Sequence, residues 1–254
     1  GVALRSSIKN GRRNRVASFR STLQARLTAT GATAHLDFID AKGKKGVDLG
    51  IEANMTPEGT RLHMTPLNPI IAYRRFTLNE DNYVELTREG RVLALIDLLA
   101  DDGTGLKLYS TPNEDALQDI SLSLNNINMA ELTSVMPYAP QLGGLLHGDL
   151  HYMQADSATT ISTDIGIRRM TYEGTPMGDM GLNAIYFPNT DGSHHVDAVV
   201  TQNDNEIAML AGTYWEQNGE GQIDAEATLE SLPLSLANAF LPEGTIRLKG
   251  ATSG

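Results

Sequence analysis

The sequence predicts an all-β protein, an elongated and curled antiparallel sheet that forms a groove and carries two short helices. Three observations favour this class. Apolar and polar residues alternate with a period of two, turn dipeptides with glycine recur at short intervals, and one strand–helix–proline–strand pattern occurs twice. A period of two places one set of side chains on each face of a sheet. One apolar and one hydrated face is typical of antiparallel sheets.

The turns are predicted by dipeptides in which glycine follows a polar residue. Glycine adopts a positive φ at no steric cost, which hairpin turns require. The dipeptides are Asn10-Gly11, Lys42-Gly43, Glu58-Gly59, Glu89-Gly90, Asp102-Gly103, Asp191-Gly192 and Asn218-Gly219. We expect antiparallel hairpins at these points.

The clearest alternating strands lie at residues 47–55, 161–167 and 223–229. In the first, Val47 and Leu49 alternate with Asp48 and Gly50. These segments predict strands with one apolar face, although the pairing register depends on long-range contacts.

Two short helices are predicted at residues 129–136 and 234–241, where apolar side chains recur at helical spacing. A proline, Pro137 or Pro242, follows each one and ends the helix. Helices this short are unstable alone, so each should lie on the sheet.

The helices belong to a pattern found at residues 122–150 and again at 227–250, which is typical of repeat architecture. We therefore divide the chain into an irregular N-terminal β segment, 1–110, and a β repeat segment, 111–254. A weak boundary lies at residues 110–115, within what we expect to be one continuous elongated unit. We also expect the sequence to be an excised piece of a longer protein, with its targeting segment removed.

Composition excludes several classes of function. The net charge of −11 disfavours nucleic acid and anionic membrane surfaces as partners. The absence of cysteine excludes disulfides, thiolate catalysis and zinc–thiolate sites. No segment is long and apolar enough to span a bilayer as a helix, since the best candidate, 92–100, is short and contains Asp97.

Motifs with potential chemistry have simpler interpretations. His147, Asp149 and His151 could be metal ligands on one strand face, but we interpret them as the hydrated side of a strand, because no further ligand completes a site. Residues 189–193 resemble part of a calcium loop that lacks its closing acid, so a turn is expected. Asp101-Asp102 is likewise read as a turn. We predict no catalytic residue, no cofactor and no metal.

The apolar strand faces are therefore the candidate functional surface. Alternation alone cannot distinguish a closed sandwich core from an open groove. The scarcity of aromatic residues, 6% of the chain, and the directional repeat favour a groove. The predicted lipid-groove residues are Val47, Leu49, Ile51, Leu122, Leu124, Leu146, Leu150, Ile161, Ile165, Ile223 and Leu229.

A family resemblance adds to this interpretation. Residues 120–132 read ISLSLNNINMAEL and residues 137–150 read PYAPQLGGLLHGDL. Together they resemble the repeating unit of the TamB/AsmA-like proteins, the translocation and assembly module of Gram-negative envelopes. Residues 227–250 match this unit more weakly, and residues 73–86 resemble the extended segments of the family. The resemblance covers about half of the chain.

The resemblance implies a fold, a location and a role. Family members are long, curled β-sheets with an apolar interior, anchored in the inner membrane and extending through the periplasm. They support outer-membrane assembly, and phospholipid is thought to move along the groove. The family has no catalytic residues to carry over. The sequence lacks the N-terminal membrane anchor and the C-terminal conserved region of the family, so the resemblance implies a middle segment. Contacts with an outer-membrane assembly protein would then lie in regions outside this sequence.

We therefore expect a non-enzymatic segment of a periplasmic protein that conducts or shields phospholipid acyl chains. The alternative is a closed β-sandwich that serves as a binding or adhesion module of a surface protein. A carbohydrate-active β-domain is a weaker third possibility, because the chain has a single tryptophan, Trp215, for stacking on sugars.

Overall fold

A computed structural model of the chain is 73% strand and almost without helix, which confirms the all-β antiparallel class. The structure describes residues 2–13, 17–113, 115–136, 139–155, 158–234 and 249–254, with the backbone alone at 7–13 and 17–18. The chain forms two compact units. Unit 1 comprises Gly1–Pro112 and Ile120–Pro140, and unit 2 comprises Asn113–Asp119 and Gln141–Gly254. Residues 120–140, which the sequence analysis assigns to the second segment, thus lie with the first unit.

Unit 1 is an antiparallel meander in which the long strands pair in chain order. Its strands are β1 Val2–Arg13, β2 Ala17–Leu27, β3 Gly31–Asp40, β4 Lys45–Met55, β5 Gly59–Ile71, β6 Arg74–Arg75, β7 Thr77–Leu78, β8 Tyr83–Thr87, β9 Val92–Leu99, β10 Gly105–Ser110 and β11 Gln118–Asn128, of which Gln118 and Asp119 belong to unit 2. The short β6 and β7 pair with β5 and β9.

Unit 2 continues the same type of meander with longer strands. These are β12 Leu142–Ala155, β13 Ala158–Tyr172, β14 Thr175–Pro188, β15 His194–Gln202, β16 Asn205–Gln217 and β17 Glu220–Leu229. Each pairs with the next in antiparallel register. A separate two-stranded ladder joins β18 Leu232–Pro233 to β19 Ala251–Thr252.

The sheet of each unit is neither curled nor closed, which corrects the prediction of a curled groove. Closure into a barrel requires the first and last strands of a sheet to pair. The described ladders of each unit instead follow the chain in order, and none of them returns to the first strand. Alternation fixes which side chains share a face, but it does not fix curvature.

Most of the glycine turns occur where they are predicted. Gly43, Gly90, Gly103, Gly192 and Gly219 all have φ near 80° in the connections between strands. The prediction at Asn10-Gly11 is wrong, because β1 runs through this dipeptide with a register shift between Ile8 and Gly11.

The dipeptide Glu58-Gly59 shows a different use of glycine. A turn does form, with the Gly59 amide donating to the Thr56 carbonyl at 3.3 Å. Gly59 itself is the first residue of β5, where an added Cβ would lie 2.3 Å from the Leu86 carbonyl oxygen. Glycine is needed here for the close approach of β8, not for a positive φ.

The first predicted helix is present as α1, Met129–Ser134. The Asn128 side chain is its N-cap and accepts from the amides of Ala130 and Glu131 at 3.0 and 3.3 Å. The second predicted helix, 234–241, and the strand after it fall almost entirely on residues 235–248, outside the described part of the chain.

Candidate functional site

The registers of unit 2 align apolar residues from six consecutive strands on one face. Ile165 of β13 lies opposite Gly148 of β12 and Leu182 of β14, and Leu182 lies opposite Val200 of β15. Directly opposed residues project from the same face of a sheet. Extending this relation defines the unit 2 apolar face, which consists of Leu146, Leu150, Tyr152, Ile161, Ile165, Ile167, Met180, Leu182, Ala184, Tyr186, Val196, Ala198, Val200, Ala208, Leu210, Tyr214, Ile223, Ala225, Ala227 and Leu229.

The other face of the same strands, which we call the polar face, carries charged and polar side chains mixed with apolar ones. Asp149 lies opposite Asp164, which lies opposite Asn183. Ile185 of β14 and Met209 of β16 also project from this face. Strand alternation therefore places most charged side chains of these strands on the polar face.

Large side chains of the unit 2 apolar face are exposed. The exposed fractions are 40% for Leu182, 41% for Leu210, 43% for Tyr214 and 74% for Ile223. Tyr214 and Ile223 are direct cross-strand neighbours. A contiguous exposed apolar surface is unusual in a soluble protein, which makes this face the candidate binding surface.

Six of the predicted lipid-groove residues lie on this face. They are Leu146, Leu150, Ile161, Ile165, Ile223 and Leu229, and the registers bring all of them to the same side of the sheet. They share a face because a period of two fixes the face of a residue without any knowledge of pairing, and contact with lipid at this face stays a prediction.

The remaining five, Val47, Leu49, Ile51, Leu122 and Leu124, lie on one face of unit 1. Directly opposed residues on neighbouring strands connect these five positions across the meander, from β4 to β11. The pairs at the two ends of this path are Leu49 with Leu36 and Leu108 with Leu122. We call this surface the unit 1 apolar face.

One end of the unit 1 apolar face is covered. Phe19, Phe38 and Val47 are 5%, 5% and 8% exposed and pack with Tyr73 and Val135. The Phe19 and Phe38 rings stack at 5.4 Å. This end is an ordinary small core, closed by the connection after β5 and by the C-terminal end of α1.

A second covered cluster lies further along the same face. Phe76 and Leu78, from the connection that contains β6 and β7, pack with Ile96 and Leu98 of β9 at 2–8% exposure. At the other end of the strands the face is open, with exposed fractions of 42% at Ile51, 37% at Leu36 and 50% at Leu27. Burial therefore falls steeply along β4, from Val47 to Ile51.

Much of the unit 2 apolar face was not predicted from the sequence, above all in β14 and β16. In β16, residues 207–215 read IAMLAGTYW, so both faces are apolar and alternation is hidden. In β14 the signal was present, because Met180, Leu182, Ala184 and Tyr186 recur with a period of two. The interruption by Ile185 on the polar face obscured it.

Two of the polar motifs take part in side-chain hydrogen bonds. His151 Nε2 donates to the Asp119 carboxylate at 2.9 Å, and this contact lowers the pKa of Asp119 below its ordinary value. Residues 189–193 form a turn in which the amide and hydroxyl of Ser193 donate to Asp191 at 3.0 and 2.6 Å.

One polar cluster was not anticipated. His35 Nε2 lies 3.2 Å from Asp37 and 3.0 Å from Asp48, and the three ligand atoms lie close enough to hold a metal ion. The Lys45 ammonium already contacts both carboxylates, at 3.1 and 2.6 Å, and its pKa is raised by the hydrogen bond to Asp48. The group is therefore satisfied as an ion-pair network.

The net charge of −11 is unevenly distributed. Unit 1 has sixteen Lys and Arg against thirteen Asp and Glu, whereas unit 2 has four against eighteen. Net charge therefore disfavours anionic partners for unit 2 but not for unit 1.

No protein-family model, no curated protein and no solved structure matches this chain. Among the described residues, no helix has the length and apolarity needed to cross a membrane.

Proposed function

We propose that the chain is a segment of a TamB/AsmA-like envelope protein whose apolar sheet faces bind phospholipid acyl chains in the periplasm. The full-length protein is anchored in the inner membrane and supports outer-membrane assembly through a partner that contacts other regions. The role is to conduct or shield lipid and is not enzymatic. Because the sheet of each unit is open, the lipid lies against a face and not within a closed groove.

The observation that carries the proposal is the unit 2 apolar face. Its side chains come from six paired strands, and four of the large ones are 40% exposed or more. Apolar surface in water costs about 25 cal/mol per Å². An occupant that removes this surface from water is favoured, and an acyl chain offers no polar groups that need partners.

The dimensions of the face fit this occupant. Ile223 and Leu229 are six residues apart on β17, which spans about 20 Å at the usual rise of a strand. One leaflet of a bilayer has a hydrocarbon depth of roughly 15 Å, half of the membrane core. An acyl chain can therefore lie fully on apolar side chains in the strand direction.

The charge of unit 2 argues against an aqueous polyanion as the occupant, and the smooth aliphatic composition of the face argues against sugar. Ala184, Ala198 and Ala227 keep the centre of the face shallow. Stacking on carbohydrate needs aromatic platforms, which the centre of this face lacks among the described side chains.

Paired substitutions on β16 test the proposal. Leu210 and Ala211 are adjacent and both exposed, but they project from opposite faces. We expect Leu210→Asp to reduce the phospholipid that co-purifies with the 254-residue chain by about tenfold, because a carboxylate would be desolvated against the acyl chain. Ala211→Asp is the matched control and should leave the amount of lipid unchanged. Lipid extraction and mass spectrometry measure both, with circular dichroism to check the fold.

Two results would contradict the proposal. Wild-type chain that carries no phospholipid after exposure to vesicles would favour the alternative role, in which the face binds protein. Equal lipid loss in both variants would show that the two faces of β16 do not differ in contact with lipid.

A further inference from the structure

We propose that unit 2 prefers phospholipids with an ammonium head group, such as phosphatidylethanolamine, over anionic phospholipids such as phosphatidylglycerol. This inference rests on the proposed function and adds the chemical class of the head group. It follows from two features of unit 2, an aromatic rim at one end of its apolar face and the sign of the charges around that rim.

The aromatic rim consists of Tyr152, Tyr186, His194 and Tyr214. Tyr152 and Tyr186 both lie opposite Ile161, and His194 lies opposite Tyr214. The Tyr186 and His194 rings are nearly parallel with centroids 5.4 Å apart, and His194 lies 6.2 Å from Tyr214. Phenol and imidazole groups thus gather at one end of a surface that is otherwise aliphatic.

Tyr214 is the most exposed residue of this rim. It is 43% exposed, and its ring lies over the backbone of β17 at Gly221, where an added Cβ would come within 2.9 Å of ring atoms. Glu216 follows two residues later on the same face of β16. A cation above the Tyr214 ring would therefore have a carboxylate beside it.

The charged groups at this end of unit 2 are acidic. Asp191 lies in the turn between β14 and β15, Glu216 is the penultimate residue of β16 and Glu220 begins β17. The described basic side chains of β13, Arg168 and Arg169, lie seven and eight residues beyond Ile161, at the other end of the face, about 23 Å away or more.

These two features together select a head group. A ring face within about 6 Å attracts an ammonium ion through its quadrupole, and carboxylates add to the attraction. An anionic head group has no cation at this rim among the described side chains, and it is repelled by a unit with eighteen acidic and four basic residues. An ethanolamine head group supplies the missing cation, while its acyl chains lie on the aliphatic centre.

Competition between two lipids tests the inference. The 254-residue chain is incubated with vesicles of equal parts phosphatidylethanolamine and phosphatidylglycerol with identical acyl chains, re-isolated and extracted. We expect bound phosphatidylethanolamine to exceed phosphatidylglycerol by roughly threefold or more. Phosphatidylglycerol bound equally or in excess would overturn the inference and leave the proposed function standing, whereas absence of both lipids would refute the proposed function itself.

Single substitutions locate the preference. Tyr214→Leu keeps an apolar side chain but removes the ring, so the ratio of bound phosphatidylethanolamine to bound phosphatidylglycerol should fall towards unity. Tyr109→Leu is the control, because Tyr109 is equally exposed, at 42%, and lies in unit 1. A preference that survives Tyr214→Leu together with the double change Glu216→Gln and Glu220→Gln would exclude the rim as its source.

Discussion

At the residue scale, Asn82 holds together the irregular part of unit 1. It is 2% exposed, its side chain accepts from the Met64 amide at 2.7 Å, and it donates to the Asn79 carbonyl at 3.0 Å. We expect Asn82→Ala to lower the free energy of unfolding by about 1–3 kcal/mol, because a buried amide of β5 loses its acceptor. Chemical denaturation measures the change. The exposed Asn54→Ala is the control, and a similar loss there would contradict this explanation.

A second residue-scale prediction concerns Asp102 in the turn after β9. Hydrogen bonds from Arg74 and Thr104 lower the pKa of its carboxyl to about 2 from the ordinary 3.8. A carboxyl whose pKa is lower in the folded chain than in the unfolded chain stabilises the fold at pH values above its unfolded-state pKa. This stabilisation is lost as the pH falls through the folded-state pKa. The difference in melting temperature between wild type and Asp102→Asn should therefore be constant above about pH 5 and shrink between pH 3.8 and about 2. A difference that grows on acidification would contradict the assignment, and Asp101→Asn is the control.

At the element scale, the connection from Ala72 to Leu78 covers part of the unit 1 apolar face. Phe76 is 6% exposed against β9, whereas Leu86 is 53% exposed at an uncovered position. We expect Phe76→Ala to destabilise the chain by about 3–5 kcal/mol and to raise binding of an apolar dye. Leu86→Ala should cost much less, about 0.5 kcal/mol or below. Equal costs in urea denaturation would mean that the connection does not act as a cover.

The same scale shows what the sequence could predict. The eleven residues predicted to line a groove, Val47 and Ile165 among them, each lie on the apolar face of their unit because alternation is local. The helix at 129–134 was predictable from the spacing of its apolar residues and from the proline that follows. The cover formed by Phe76 and Leu78 was not predictable from the sequence. It depends on a shift in the register between β4 and β5, which falls between Asp48 and Gly50 of β4. Curvature was also beyond the sequence pattern, because it depends on pairing and twist across many strands.

At the scale of the whole molecule, the two units share a strand pattern but differ in charge and in cover. Unit 1 is weakly basic and has two buried clusters, whereas unit 2 is strongly acidic and exposes large apolar side chains on one face. The proposed function requires lipid to lie on this face of unit 2.

Site-specific photocrosslinking on β14 tests that requirement most directly. Leu182 and Asn183 are neighbours, both exposed, on the apolar and polar faces respectively. With benzoylphenylalanine at either position and phosphatidylethanolamine vesicles present, the account predicts lipid adducts at 182 and almost none at 183. Equal adducts at the two positions, or more at 183, would contradict it.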